Sequence, residues 1–571
     1  MQNTHLDLHK LISFSQIFPY KKFNYWKTIK RLPTVDSVLV VAYTLKKRMM
    51  KRIDESGHEF FISTLFHYTA YMQPLILDYL KKIEFKDYIF IDEISLLLLM
   101  NDLLANFNDT RHELNHKNYD DLLMCYLKCC DRRLETTKKI PNEDESIEEW
   151  CKNFIPVTLY ENSLCAVRDY RLGFVKGYEL LMMFAKTNEK FRTYLTTFLR
   201  NRNLQSAEMY LYQIMTMFLE TEKNQSTPNP IIIINRHDNV NGYFLDSLCL
   251  NPKNYQCSAD LKSLRDKPLL KYRDRAYIML YSRFFLDKSF SGILFDIAKE
   301  KTSVSLPFEK VYRSLKQLIG QEFSEHYLFY ETLRRCFPSS LYIHFSGEKM
   351  KDILHEGEPD YYIRRDNKIF LFEFKDVLMK GEIKTCIDYD KIKEETYRIF
   401  VGEYRKNGKL KPKGVTQLAN TIETKLTDIT KECDSVNSRC FIIYPILVYE
   451  DSSFDIEGFN YLLNNKFREI VKRRTISPSF EIKDLVMVNL DTLMSLENYM
   501  SSQQVVFEDV IDNYITYKRE SKLNIIYPFN KYLINQARNQ GYRFLKSKWF
   551  DDVFNTLKNK EDKRNDYIPI G

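Results

Sequence analysis

The sequence predicts a multidomain chain, mostly α-helical, with one α/β domain in its C-terminal half. Three observations carry that expectation. The chain has 571 residues, beyond the roughly 250–300 at which a single core stops growing. Through most of the first 220 positions apolar residues recur at three- and four-residue intervals, the period of a helix with one buried face. From position 308 to 500 helical and strand-like segments alternate, as an α/β unit requires.

Composition fits a folded chain and argues against long disorder, with 44% hydrophobic and 28% charged residues. The net charge of +8 permits a polyanionic partner without requiring one. Eleven cysteines, an odd number without zinc-ribbon spacing, read as reduced buried thiols of a cytoplasmic protein. The N-terminus has no basic segment followed by an apolar run. No apolar stretch approaches the roughly 20 residues that span a bilayer, so no membrane partner is expected.

The elements follow in order. Phe60–Lys82 and Met209–Glu222 have helical apolar periodicity. The basic run Leu45–Arg52 reads as a solvated helix face, and Cys125, Cys129 and Cys130 as a buried one. After the breaker Asn224–Pro230, the β-branched run Ile231–Ile234 predicts a strand. Residues 1–300 thus form a helical N-terminal region, divisible near 225, with a sensing or regulatory role. Residues 308–500 form the α/β domain. Residues 501–571 form a helical extension in which aromatic residues and lysines alternate from Tyr542 to Trp549.

His112-Glu113-Leu114-Asn115-His116 matches H-E-x-x-H. On a helix, both histidines would share one face, bind zinc and leave Glu113 as a general base, the arrangement of a zinc metalloprotease. Its polar neighbours Thr110, Arg111, Asn115 and Lys117 favour a loop or helix end instead.

The stretch Glu358–Lys375 (EPDYYIRRDNKIFLFEFK) points to different chemistry. Asp366-Asn367 is a turn pair between two aromatic, β-branched segments, which predicts a hairpin. Strand alternation puts Phe370, Phe372 and Phe374 on one face and Leu371, Glu373 and Lys375 on the other. A carboxylate and an ammonium therefore stand side by side at the end of an apolar strand, with Asp360 able to fold back beside them. Two carboxylates suit a hard, oxygen-seeking Mg²⁺. A neighbouring lysine can orient water or stabilise developing charge during phosphodiester hydrolysis. The plainer alternative is a same-face surface ion pair, worth under about 1 kcal/mol.

Pro359-Asp360 followed by Glu373-Phe374-Lys375 resembles the signature of the PD-(D/E)XK nuclease superfamily. Upstream, Gly320–Glu325 (GQEFSE) is similar to the glutamate-bearing first helix of that family. Downstream, Lys413–Leu418 (KGVTQL) opens a helix where many members carry a glutamine, with Thr421 standing where some have tyrosine. Cys440–Glu450 and Leu485–Leu490 match the remaining core strands. The resemblance covers roughly a third of the chain. It implies a restriction-endonuclease-like domain, a mixed central sheet flanked by helices. It implies Asp360 and Glu373 as metal ligands and Lys375 as the catalytic lysine. Glu325 would complete the site, with Glu322 and Glu331 as alternatives one helical step away, and Gln417 would support it. The implied activity is a Mg²⁺-dependent DNA endonuclease, with Mn²⁺ as the alternative cation and RNA as the alternative substrate, acting in antiviral defence. An inert nuclease fold that only binds nucleic acid or serves as a scaffold is the competing reading. A homodimer, or a regulatory partner bound through the N-terminal region, is compatible with either. Two basic clusters, Arg405, Lys406, Lys409, Lys411 and Lys413, and Lys472, Arg473 and Arg474, are the candidate phosphate contacts.

Overall fold

Strand-forming sequence concentrates in two places, 231–279 and 343–489, and each builds its own sheet among helices. The computed structural model describes residues 10–50, 71–83, 88–110, 113–136, 142, 144–166, 169–222, 229–234, 242–300, 306–354, 357–404, 408–436, 440–542 and 548–562. The chain is mostly helical with mixed sheets and divides into two compact units. One comprises 1–138 and 176–313, the other 139–175 and 314–571.

In the first unit, the helix Glu93–Ala105 (EISLLLLMNDLLA) is apolar almost all round, so it is buried from Ile94 to Leu104 apart from Leu98. Asp92 caps it, accepting the Ser95 N–H at 2.7 Å. Cys125, Cys129 and Cys130 lie fully buried in the helix His116–Thr136, as their spacing predicts. The basic run starting at Leu45 behaves otherwise. Lys46 is buried, donates to Thr221 Oγ1 at 3.0 Å and pairs with Glu222; burial lowers its ammonium to about 7. Lys47 is buried as well, so the described part of the run is not a solvated face; Lys51 and Arg52 lie outside the described residues.

The strand expected at Ile231–Ile234 forms as Ile231–Ile233. It borders a four-stranded sheet completed by Ala276–Met279, Leu269–Arg273 and Cys249–Leu250. The N-terminal region is therefore not purely helical. These additional strands run two to five residues, too short to display alternation.

The second unit is built on a six-stranded mixed sheet. Its strands are β1 (Ile343–Ser346), β2 (Tyr361–Arg365), β3 (Lys368–Lys375), β4 (Phe441–Tyr449), β5 (Phe480–Ile482) and β6 (Val486–Asn489). β1, β2 and β3 pair antiparallel, and β3 and β4 pair parallel. The long β4 is paired along its first half by β5 and along its second by β6, both parallel. The predicted hairpin joins β2 to β3, with Arg365 opposite Lys368 and Asp366 at φ 53° in the turn. β3 and β4 are buried on both faces, which explains their nearly unbroken apolar sequences.

The helices that frame the functional residues are α1 (Phe308–Leu318), a π-helical continuation Ile319–Phe329, α2 (Tyr330–Cys336), α3 (Gly347–Leu354) and α4 (Gly414–Thr424). Two expected boundaries shift. The helix Ile147–Cys165 belongs to the second unit, where a Cβ at Gly458 (φ 89°) would stand 2.9 Å from Ile155 Cδ1. The region after 500 also forms part of this unit, because Phe507 of α5 (Phe507–Tyr517) stands 5.7 Å from the Phe337 ring and 6.3 Å from Phe370.

Candidate active site

Alternation along β3 separates its rings from its charges. Phe374 stacks on Phe329 at 4.9 Å and Phe370 lies 5.9 Å from Phe337, so the aromatic face meets the π-helical segment and the end of α2. Glu373 and Lys375 take the other face, beneath α4. A Cβ on Gly414, the first residue of α4 (φ 26°), would meet Leu447 Cδ1 at 2.9 Å, Phe400 O at 3.0 Å and Lys375 Cε at 3.6 Å. Glycine is what allows the helix to start this close to Leu447 and the Phe400 carbonyl, with Lys375 alongside.

Asp360 closes on the same strand end. Its Oδ2 accepts the Phe374 N–H at 2.7 Å, which draws the loop before β2 across β3. Gly347 at the start of α3 permits this, since its N–H donates to Asp360 O at 2.9 Å and a Cβ there would press on Pro359 O at 3.0 Å. Lys375 Nζ stands 3.0 Å from Glu373 Oε2 and 3.8 Å from Asp360 Oδ2. The three residues read from the sequence thus converge.

Glu373 is fully buried, and its Oε1 has no hydrogen-bond partner. Burial, and next Asp360, push its carboxyl well above the usual range, against the pull of Lys375. Burial alone would lower the Lys375 ammonium, but Glu373, Asp360 and Glu325 outweigh it and hold it above the ordinary lysine value. Glu325 is the helix glutamate that joins them. Burial, then Asp360, raises it to about 8. Glu331 instead pairs with Arg334 and Arg335, and Glu322 is exposed. Gln417 sits half-buried on α4, one turn beyond Gly414. Thr421, also on α4, donates to Gly357 O at 3.2 Å and so braces the loop that leads to Asp360.

Several residues at this site carried no sequence signal. Asp376 follows Lys375, and its two oxygens accept from Lys316 Nζ at 2.5 Å and Ser324 Oγ at 2.8 Å. A Cβ on Gly320, between those two, would stand 3.6 Å from Asp376 Oδ2, in ordinary contact. Positions 316, 320 and 324 repeat every four residues, a pattern legible only once Asp376 is known to face it. His326 sets Nδ1 3.1 Å from Glu348 Oε1 and Nε2 3.7 Å from Glu325 Oε1.

Asp360 and Glu373 suit a hard divalent cation by their chemistry. The fully buried Glu373 and the half-buried Asp360 carboxylates repel each other, and among the described residues Glu373 Oε1 has no donor, so a positive charge between them would relieve both. Among the described residues no group of three Asp, Glu, His or Cys side chains is arranged as a complete metal cage. The remaining ligands would be water and substrate phosphate, as is usual for Mg²⁺.

The basic clusters are more occupied than their charge suggests. Lys413 donates to Arg398 O at 3.0 Å and Glu403 at 3.2 Å. Arg474 bonds Glu423 and Asn420 and fastens α4. Arg473 pairs with Glu469 at 2.8 Å. Lys409, Lys411 and Lys472 are exposed. Arg405 and Lys406 lie outside the described residues. The H-E-x-x-H segment does not form the helix that zinc binding requires. His116 is the first residue of its helix, and Asn115 caps it by accepting the Asn118 N–H at 3.0 Å. Glu113 precedes the helix in a loop, and His112 lies outside the described residues.

All eleven cysteines are free thiols. Among the described residues no helix is long and apolar enough to cross a membrane. No protein-family model, curated protein or solved structure matches the chain.

Proposed function

We propose that the second unit is a metal-dependent nuclease of the PD-(D/E)XK type, a DNA endonuclease using Mg²⁺ or Mn²⁺. The observation that carries this reading is the convergence of Asp360, Glu373 and Lys375 at the end of β3, with Glu325 held beside them. Asp360 and Glu373 would hold the cation, which when bound neutralises phosphate charge and acidifies water. Lys375 stays cationic through the working pH range, so it acts as a hydrogen-bond donor to water or a phosphoryl oxygen and not as a base. Glu325, whose proton affinity is raised to about 8, would accept a proton from the attacking water once the pH rises through that value. The zinc-protease alternative loses its support with the helix that does not form.

The test is incubation with plasmid, single-stranded DNA and RNA, with Mg²⁺ or chelator. Cleavage should require the cation and fall about 10²–10³-fold in Lys375→Ala and Asp360→Ala. Cleavage that persists in both variants overturns the proposal. A protein that binds nucleic acid but never cuts it would return the inert-fold reading.

A further inference from the structure

A second feature lies in the first unit, far along the chain from Asp360. From Lys10 to Val35 there is no aspartate or glutamate. Within that stretch Lys21, Lys22, Lys27, Lys30 and Arg31 are all exposed, and among the described residues none is in an ion pair. Asp121 is an acidic group that feels Lys21 and Arg31, without contacting either. Interleaved with these cations are exposed rings: Tyr20 is 97% exposed, Trp26 51% and the adjoining Tyr71 66%. Lys21 Nζ lies 5.2 Å from the Phe18 ring and 5.5 Å from Tyr71, so Tyr71 adjoins this stretch through Lys21.

The segment is anchored, which makes the exposure informative. Phe14 is buried, with the rings of Phe18 at 5.3 Å and Phe23 at 5.6 Å. Ile29 and Leu32 are buried as well. Tyr25 donates to Asp102 at 2.5 Å and meets the Trp26 ring edge-on at 4.8 Å. The inward residues fix the backbone and leave Tyr20 and Trp26 directed outward. A single exposed ring needs no explanation. Three exposed rings, two of them within the acid-free stretch that carries five cations unpaired among the described residues, match a ligand that offers negative charge and flat apolar faces.

We infer that this surface binds single-stranded nucleic acid. Phosphates meet Lys21, Lys22, Lys27, Lys30 and Arg31. Unpaired bases stack on Tyr20, Trp26 and Tyr71, a contact that every base can make. Duplex DNA buries its base faces and satisfies only the cations. An anionic membrane is the weaker fit. The helix Tyr25–Ile29 is five residues long and turns Ile29 into the core, so it offers no amphipathic face for insertion. The inference does not rest on the proposed cleavage chemistry, because it concerns binding alone.

The test uses the full chain in chelator, which removes cleavage from the readout. Fluorescence anisotropy is followed with a labelled oligothymidylate and with a duplex of equal length across a potassium chloride series. The single strand should bind more tightly than the duplex. Tyr20→Ala with Trp26→Ala should weaken it about 10-fold or more at fixed salt, with little change in salt slope. Trp26→Phe should retain most of the affinity, which separates stacking from misfolding. Lys21→Ala, Lys22→Ala and Lys27→Ala together should reduce the slope by roughly 2. Unchanged single-strand affinity in the ring variant overturns the inference. So does equal binding of the duplex, or binding only to phosphatidylserine vesicles.

Discussion

Glu325 keeps a proton near neutral pH because burial and the Asp360 carboxylate both oppose its charge. Its folded-state affinity, about 8, stands above the ordinary 4.5. The metal-free fold therefore binds this proton more tightly than the unfolded chain does. That stabilisation is complete below about pH 4.5 and is lost as the pH rises through about 8. Metal-free protein should melt at falling temperature as the pH is raised across that window. Glu325→Gln should flatten part of the slope and gain on the order of 1–2 kcal/mol at the alkaline end, once solvent screening is allowed for. Glu373 acts in the same direction and retains the rest of the slope. Calorimetric melts in chelator check this, and an unchanged slope in the variant would refute it. Cation affinity should rise over the same window, because the cation competes with the proton. Glu373 and Lys375 were legible in the sequence because strand alternation fixes which side chains share a face, and Asp360 because it precedes the partner strand and can fold back beside them. Glu325 was legible only as one of three glutamates, since helical texture does not reveal where the turns widen into a π-helix. The roles of Lys413 and Arg474 were not legible: sequence shows a cation but not the carboxylate or carbonyl that occupies it.

At the scale of elements, the site depends on how the first long helix is fastened to β3. Asp376 makes that connection, gripping Lys316 and Ser324 from the residue next to Lys375. Its carboxylate is nearly buried, so removing it leaves an ammonium and a hydroxyl without their partner. Asp376→Ala should cost on the order of 2 kcal/mol. It should also lower the rate of cleavage about 10-fold by letting Glu325 move relative to Lys375, with cation affinity changed little. Asp376→Asn keeps one acceptor oxygen for Lys316 and presents an amide N–H toward Ser324 Oγ, whose hydroxyl can turn to accept it, and should recover most of the rate. Thermal melts, cation titration and cleavage rates on the two variants decide this; equal rates in wild type and Asp376→Ala would remove the positioning role. The long elements were readable in advance: the hairpin from its turn pair and alternation, β4 from its apolar run, α4 from the resemblance that Lys413–Leu418 carries. The four-stranded sheet of the first unit was not, apart from its first strand. Its strands are too brief for periodicity, and they hold together through pairing between distant positions.

At the scale of the whole molecule, the chain crosses between its two compact units more than once. Residues 139–175 leave the first unit's sequence and complete the second. Trp150, Cys151, Phe154, Ile155, Leu159, Tyr160 and Leu164 of this excursion are buried. Polar contacts fix its register: Asn162 donates to Ser452 O at 2.6 Å, and Tyr389 and Lys393 each reach Glu148 at 2.8 Å. Lys522 donates to Glu145 O at 2.6 Å. Burying a large apolar side chain stabilises a fold by about 1.5–3 kcal/mol, so seven such residues are comparable to the roughly 5–15 kcal/mol that stabilises a whole domain. A fragment of 308–571, the boundary that sequence texture suggests, should therefore expose this apolar surface, aggregate and bind hydrophobic dye. Supplying 139–175 as a separate chain in co-expression should restore a soluble, cooperatively melting complex. Ile155→Asp in that segment should abolish the rescue, because Ile155 lies directly against Gly458. A fragment of 308–571 that is monomeric, soluble and as stable as the full chain would show that the excursion decorates the second unit and does not hold it together.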